Sequence, residues 1–315
     1  MLQDVLEIIR SRDSFAITSH VRPDGDALGS ELALMFALEA FGKKAEIINR
    51  DPVPDRYRSL PGSDRILNRN VLNGTYGAVF VLECGSIART GLDDLDRQFI
   101  VNIDHHHSTG QYATMNWIDE DACAVGEMVY KIIKGLRIPI TPAMATNIYT
   151  AIVTDTGSFQ FASTTAETFR MAADLAENGA NIAGVARNVF YSNPITKVNS
   201  MMVMLNRLRL DFGGRLVWTA VTREDMLAHN CMEEDVEGLV NFPLTISGVD
   251  VALFFRELED GNFRVSLRSK NAIDVCAIAS EFGGGGHRNA SGCTLAGPLE
   301  AAKDLLLSRV SAHMD

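Results

Sequence analysis

Ser19–Ser30, SHVRPDGDALGS, is the stretch from which the fold can be read. The apolar residues Phe15, Ala16 and Ile17 just before it read as a buried strand. Ala27 to Phe41, just after it, reads as a helix that stops at Gly42. Between the two stand His20, Asp24 and Asp26, with Pro23 and Gly25 shaping the turn. Side chains two apart in an extended segment point the same way. The spacing therefore predicts that Asp24 and Asp26 aim at one point, with His20 at the strand end facing the same crevice. Two carboxylates held together repel unless a proton or a cation separates them. A neighbouring histidine makes a hard-to-borderline metal the natural cation. The structural alternative is that Asp26 caps the helix and Asp24 is a solvated turn residue.

Outward from this stretch the pattern repeats. Lys44–Asn49 reads as a second strand. The apolar run Tyr76–Leu82 is followed at once by Glu83-Cys84-Gly85-Ser86, and Phe99–Ile103 by Asp104-His105-His106-His107. Ala122–Ile133 and Pro142–Thr154 read as helices, the second running into Asp155. Buried strands alternating with helices imply a mostly parallel α/β sheet. Ligands of such sheets bind outside the carboxyl ends of the strands. His20, Asp24, Asp26, Glu83, Asp104, His105 and His106 all fall just past predicted strands. After helices over 164–193, Lys197–Arg209 reads as a helix that could link two domains. A different pattern follows. Arg215–Val221 is strand-like, and Val249–Leu258 with Phe263–Arg268 forms a hairpin around Asp260-Gly261. A helix over Ala272–Phe282, a tract of four glycines, a strand over Ser291–Leu295 and a closing helix over Leu299–His313 complete the chain. The expected fold class is α/β: an N-terminal, mostly parallel sheet flanked by helices over residues 1–190, a helical linker over 191–209, and a smaller α+β domain over 210–315.

Composition narrows the function. The 315 residues suit two domains, and no apolar run is long enough to span a membrane. Acidic residues in the amphipathic N-terminus MLQDVLEIIRSRD do not fit a signal peptide, so a cytoplasmic location is expected. The five cysteines are scattered singly, which suggests neither a zinc finger nor a disulfide framework. A net charge of −11 argues against a grip on long duplex nucleic acid. A short or small phosphorylated substrate needs only a local basic pocket.

His20, Asp24, Asp26, Glu83, His105 and Asp155 together exceed what one ion needs, and two divalent ions sharing a carboxylate would use them all. Oxygen-rich ligation with imidazole favours manganese or magnesium over structural zinc. Two metals about 3.5–4 Å apart activate water for phosphoryl transfer. His107 is read as supporting a neighbour by hydrogen bonding. In the second half, the glycines can bring backbone N–H groups close to a phosphate as a nest. Arg268 can grip it bidentately, with His287 and Lys270 beside it. Arg288 and Asn289 read as rim residues.

HVRPDGDALGS, a strand-end acid, DHH and TDTGSF resemble the ordered motif set of the DHH phosphoesterases. Val265–Lys270 and Gly283–His287 resemble the associated C-terminal domain, so the similarity spans nearly the whole chain. The resemblance implies two divalent ions, Mn2+ or Mg2+. His20 and Asp24 would bind the first, and Asp26, His105 and Asp155 the second. Glu83, where the family commonly has Asp, would bridge them. His106 would contact the substrate phosphate, with Asp104 beside it in the catalytic motif. Arg268, Ser269, Lys270, Gly284, Gly285, Gly286 and His287 would hold the substrate. The implied activity is hydrolysis of short RNA or DNA oligonucleotides from an end, together with 3′-phosphate removal from the bisphosphate pAp. Cyclic di-AMP or linear dinucleotide cleavage is the alternative, and an inactive nucleotide sensor a third reading. No membrane or long-duplex partner is expected, and a homodimer is left open.

Overall fold

The computed structural model describes the whole chain except Ser108, Glu237, Asn271, Ala272 and Asp315, and all side chains but those of Glu233 and Glu234. The chain divides into two compact units, Met1–Ser192 and Asn193–Asp315. The first runs α1 (Leu2–Ser11), β1 (Ser14–Thr18), α2 (Gly25–Ala40), β2 (Lys44–Asn49), β3 (Leu67–Asn68), β4 (Ala78–Leu82), β5 (Ile100–Asp104), β6 (Met115–Ile118), α3 (Val125–Leu136), α4 (Pro142–Asp155), α5 (Ala166–Glu177) and α6 (Ile182–Phe190). Its sheet has the order β3-β2-β1-β4-β5-β6, with every neighbouring pair parallel. A parallel sheet is covered on both faces, and β4 and β5 are accordingly buried at every residue. From β1 the chain moves outward through β2 to β3, then returns to place β4 on the other side of β1. The crevice between the carboxyl ends of β1 and β4 is thus the topological switch point where such folds bind ligands.

Two glycines fix the helix packing that completes this crevice. A Cβ on Gly25 would lie 2.5 Å from Thr154 Oγ1, and one on Gly29 would lie 2.4 Å from the Asn147 carbonyl oxygen. Because 25 meets 154 and 29 meets 147, α2 and α4 run antiparallel. The start of α2, bearing Asp26, therefore lies beside the end of α4, bearing Asp155. The helix expected from Ala122 begins instead at Val125, after an extended Ala124. β6 was not anticipated, since its four edge residues, half-buried except for the buried Trp117, carry no clear periodicity.

The second unit runs α7 (Ile195–Asn206), β7 (Arg209–Asp211), β8 (Leu216–Val221), α8 (Arg223–Ala228), β9 (Val251–Glu257), β10 (Phe263–Ser269), α9 (Val275–Ser280), β11 (Gly285–His287), β12 (Ala290–Leu295) and α10 (Leu299–Ser311). Its sheet order is β11-β12-β10-β9-β8-β7, antiparallel except for the β8–β9 pair. The β9–β10 hairpin closes with Leu258 N–H donating to the Asn262 carbonyl (2.8 Å) and Gly261 at φ +79°. Its core gathers Leu253, Phe255, Val265, Leu267, Ile278 and Leu306. The segment expected as a linker helix is part of this unit. In α7, Val203 and Met204 are buried in one core with Val217, Val221 and Phe254. Ala272, the expected start of α9, lies outside the described residues; the helix begins at Val275, capped by Asp274. Among the described residues no helix is long and apolar enough to cross a membrane.

Candidate active site

The turn after β1 differs from its sequence reading. Asp24 is the N-cap of α2, accepting from the N–H groups of Asp26 and Ala27 (3.0 and 3.1 Å). Asp26 is already helical, so the two carboxylates do not share an extended face. Asp26 instead turns inward and accepts from Val125 N–H (2.6 Å), Gly126 N–H (2.9 Å) and the Ser30 hydroxyl (2.9 Å). It thus sits on the first-turn N–H donors and positive dipole end of α3, which favour its ionised form. Burial, with Asp24 nearby, nevertheless pushes its pKa up, against the opposing pull of His105 and these N–H groups.

Two imidazoles face the carboxylates in the orientation that a metal ligand requires. His20 Nδ1 lies 2.8 Å from the Val21 carbonyl, and His105 Nδ1 lies 3.0 Å from that of Ala122. A carbonyl only accepts, so each Nδ1 carries a proton and Nε2 is the nitrogen that each ring turns toward the carboxylates. His20 Nε2 is 2.9 Å from Glu83 Oε2. His105 Nε2 lies 3.4 Å from Asp155 and 3.8 Å from Asp26. Burial opposes a charge on His105, but Asp155 and Asp26 outweigh it and raise its pKa.

Glu83 belongs to two sets of donors. His20, Asp24 and Glu83 place ligand atoms within 4.8 Å of one another, and so do Asp26, Glu83 and His105. The backbone at Glu83 is left-handed, with φ +53°, an uncommon conformation for a glutamate. Tyr112 OH donates to the Cys84 carbonyl (2.7 Å) and Gly110 N–H to that of Gly85 (3.1 Å), which hold this turn in place. Burial, then Asp24, Asp26, Asp155 and Asp104, push the Glu83 pKa well up. Burial, despite His105, pushes that of Asp155 up to about 8. A largely buried cluster of acids that raise one another's pKa, with imidazole nitrogens turned toward them, fits divalent cations with mixed oxygen and nitrogen ligands.

His106 and Asp104 form a separate couple. Asp104 ends β5 and accepts from His106 Nδ1 (2.8 Å), His105 N–H (2.8 Å) and the Thr109 hydroxyl. Burial alone would raise its pKa, but His106 and Thr109 outweigh it and hold it at about 2. Asp104 therefore positions His106 and is not itself aimed at a substrate. His106 Nε2 points back into the site, 3.9 Å from Glu83. His107 is mostly exposed and pairs with Glu120 (2.7 Å) on the surface. A layer beneath braces His20: Asn49 accepts from Ser19 N–H (3.3 Å) and donates to Glu31 (2.8 Å), whose pKa burial raises to about 7.

In the second unit the glycine tract is more structural than expected. Gly283 N–H donates to Ser280 and Gly284 N–H to Ala279 (3.1 and 2.9 Å), so half of the expected nest closes α9 instead. Gly285 to His287 pair with β12. A Cβ on Gly284 would lie 2.2 Å from the Gly292 carbonyl oxygen, and one on Gly286, at φ +140°, 2.5 Å from that of Ala290, whereas Gly283, at φ +69°, and Gly285 face open space. Ser269 is buried, its hydroxyl donating to Ile273 (2.7 Å) and accepting from Asn289 (2.9 Å). It is committed inside the fold rather than offered to a substrate, and Asn289 is a latch rather than a rim residue. Arg268 Nε donates to Asn241 (3.1 Å) and Lys270 Nζ to the Ile246 carbonyl (3.3 Å).

Family models match in chain order: the DHH family N-terminal domain over residues 14–152 and the DHHA1 domain over 219–314. A Thermus thermophilus protein named bifunctional oligoribonuclease and PAP phosphatase NrnA is 34% identical over 98% of this chain and 93% of its own. The chain belongs to the DHH family. A Bacillus subtilis protein of the same name is 27% identical over 94% of this chain and 93% of its own. An exopolyphosphatase-related protein from Bacteroides fragilis superposes with a TM-score of 0.88 at 26% identity, covering 99% of this chain and 95% of its own. Like its family, the DHH chain is a hydrolase of phosphoester bonds with candidate metal-ligand clusters. The supports that its sequence reading missed, Ser30, Thr109, Tyr112 and the N–H groups of Val125 and Gly126, are mostly backbone or hydroxyl donors. Their residue types carry no catalytic signal, and only the packing reveals them.

Proposed function

We propose that this chain hydrolyses short oligonucleotides from an end and removes the 3′-phosphate of pAp, with two manganese ions held in the first unit. The sharing of Glu83 between two donor sets carries this reading, because a bridging carboxylate is what separates a two-ion site from a one-ion site. The names of the Thermus and Bacillus relatives support the substrate class. His20 and Asp24 would hold one ion, Asp26, His105 and Asp155 the other, and Glu83 both. When bound, the ions supply a water of lowered pKa and offset charge on the phosphate. Asp104 keeps His106 in the tautomer with the proton on Nδ1 and turns Nε2 toward the site. Protonated there, His106 donates a hydrogen bond to a phosphate oxygen and stabilises charge as the ester bond breaks. In the second unit Arg268, Lys270, Gly285 and His287 hold the nucleotide. A product-resolved assay with Mn2+ on pAp, a dinucleotide, a 5-mer RNA and cyclic di-AMP tests the reading. Release of mononucleotides and AMP is expected; turnover of cyclic di-AMP alone would replace it with the cyclic-dinucleotide alternative.

A further inference from the structure

Beside the acidic ligand row, at the carboxyl edge of the first sheet, three arginines gather on neighbouring elements. Arg22 lies in the turn between His20 and Asp24, Arg50 directly follows β2, and Arg89 lies seven residues past β4. Backbone ties bring them to one rim. Arg22 N–H donates to Asp51 (2.8 Å) and Val21 N–H to the Arg89 carbonyl (2.7 Å). Arg50 and Val21 both pack on Gly91: Arg50 Cγ and Val21 Cγ1 each lie 2.9 Å from where a Cβ on Gly91 would stand. Arg89 reaches over the turn that carries Glu83, its guanidinium 3.8 Å from where a Cβ on Gly85 would be. All three arginines are exposed. Arg22 takes a left-handed backbone, φ +56°, the kind of local strain that collects at binding sites. Asp51 lies among them, but one of its oxygens is taken by the Arg22 N–H.

Resting on the reading of short oligonucleotides as substrates, we infer that Arg22, Arg50 and Arg89 form a track for the phosphodiesters beyond the one being cut. The sheet order is β2-β1-β4-β5, so Arg50 marks one end and the His105–His106 pair the other. From β2 to β4 is two strand spacings, roughly 10 Å. That length accommodates one or two further phosphates of a single strand, and in a chain of net charge −11 a local patch of this kind can offer them positive charge. pAp, with one nucleoside, does not extend that far.

The test compares 5-mer RNA with pAp, both with Mn2+, for wild type, Arg50→Gln, Arg89→Gln and the double variant. Arg22 is left intact because it sits two residues from proposed ligands. The expected result is a KM for the 5-mer that rises about tenfold or more relative to that for pAp. The dependence of log KM on log salt should fall by about 0.7 for each arginine removed, and Arg→Lys variants should recover most of that slope. KM values that move in parallel for the two substrates would overturn the track. So would an unchanged salt slope with tighter Mn2+ binding, the signature of arginines that only screen the carboxylates. A wild type that cleaves neither substrate overturns the oligonucleotide reading itself, and the track with it.

Discussion

Replacing Glu83 by Asp keeps the carboxylate but shortens the side chain that both donor sets share, and is expected to impair the site. Glu83 serves both donor sets from a left-handed backbone position. Asp adopts that conformation more readily than Glu, so the substitution adds no backbone strain. It does withdraw the carboxylate by one carbon–carbon bond, about 1.5 Å. Ligand distances tolerate only about 0.2 Å, and Tyr112 and Gly110 pin the turn so that it does not follow the shorter side chain. One ion should keep its contact and the other lose it. Outer partners of ligands alone are worth about 10–100-fold in affinity. Loss of Glu83's own contact is therefore expected at the upper end, about 100-fold or ~2.8 kcal/mol. Calorimetric titration of chelator-stripped protein with Mn2+ reads this directly: two tight equivalents for wild type, one tight and one weak for Glu83→Asp. Two equivalents with affinities within about threefold of wild type would refute the bridging assignment.

Asp104→Asn and His106→Ala should each lower kcat by about 100-fold or more while leaving Mn2+ affinity near wild type; a parallel loss of Mn2+ binding would make the couple part of the ligand set. The metal-free protein should lose stability as pH rises. Burial foremost holds Asp155 at about 8 and Glu83 well above its ordinary value, whereas both titrate near 4 when unfolded. The folded state then binds more protons than the unfolded one between about pH 4 and 8, so ΔG of unfolding falls across that window. Since Mn2+ requires the deprotonated ligands, the melting-temperature gap between Mn2+-loaded and chelated protein should widen from pH 5 to 8; a constant gap would contradict this. In the second unit, Gly284→Ala should lower the melting temperature, because its Cβ meets the Gly292 carbonyl, whereas Gly285→Ala faces open space and should not. A raised KM in Gly285→Ala would then report on nucleotide binding alone, and an unchanged KM would remove Gly285 from that role.

Much of the first unit was legible because its signals are local. A buried parallel strand must be a continuous apolar run, so the runs ending at Leu82 and Ile103 announced β4 and β5 and put Glu83, Asp104 and His105 at one edge. His20 was legible for the same reason. What sequence spacing could not supply was direction. A period of two placed Asp24 and Asp26 on one face, but the helix begins at Gly25, and the pair diverges into a cap for α2 and an acceptor for α3. The donors that turned Asp26 inward belong to Val125 and Gly126, about a hundred residues away, and no local pattern encodes them. In the glycine tract the chain shows residues without side chains but not the reason for them. Contacts with Gly292 and Ala290 assign Gly284 and Gly286 to packing and leave Gly285 facing outward. The sequence by itself determined which residue types reach the sheet edge, since strand burial and chain order are properties of the chain. Only the tertiary structure decided which atoms converge there, because convergence depends on helix starts, backbone donors and antiparallel helix contacts between segments far apart in sequence.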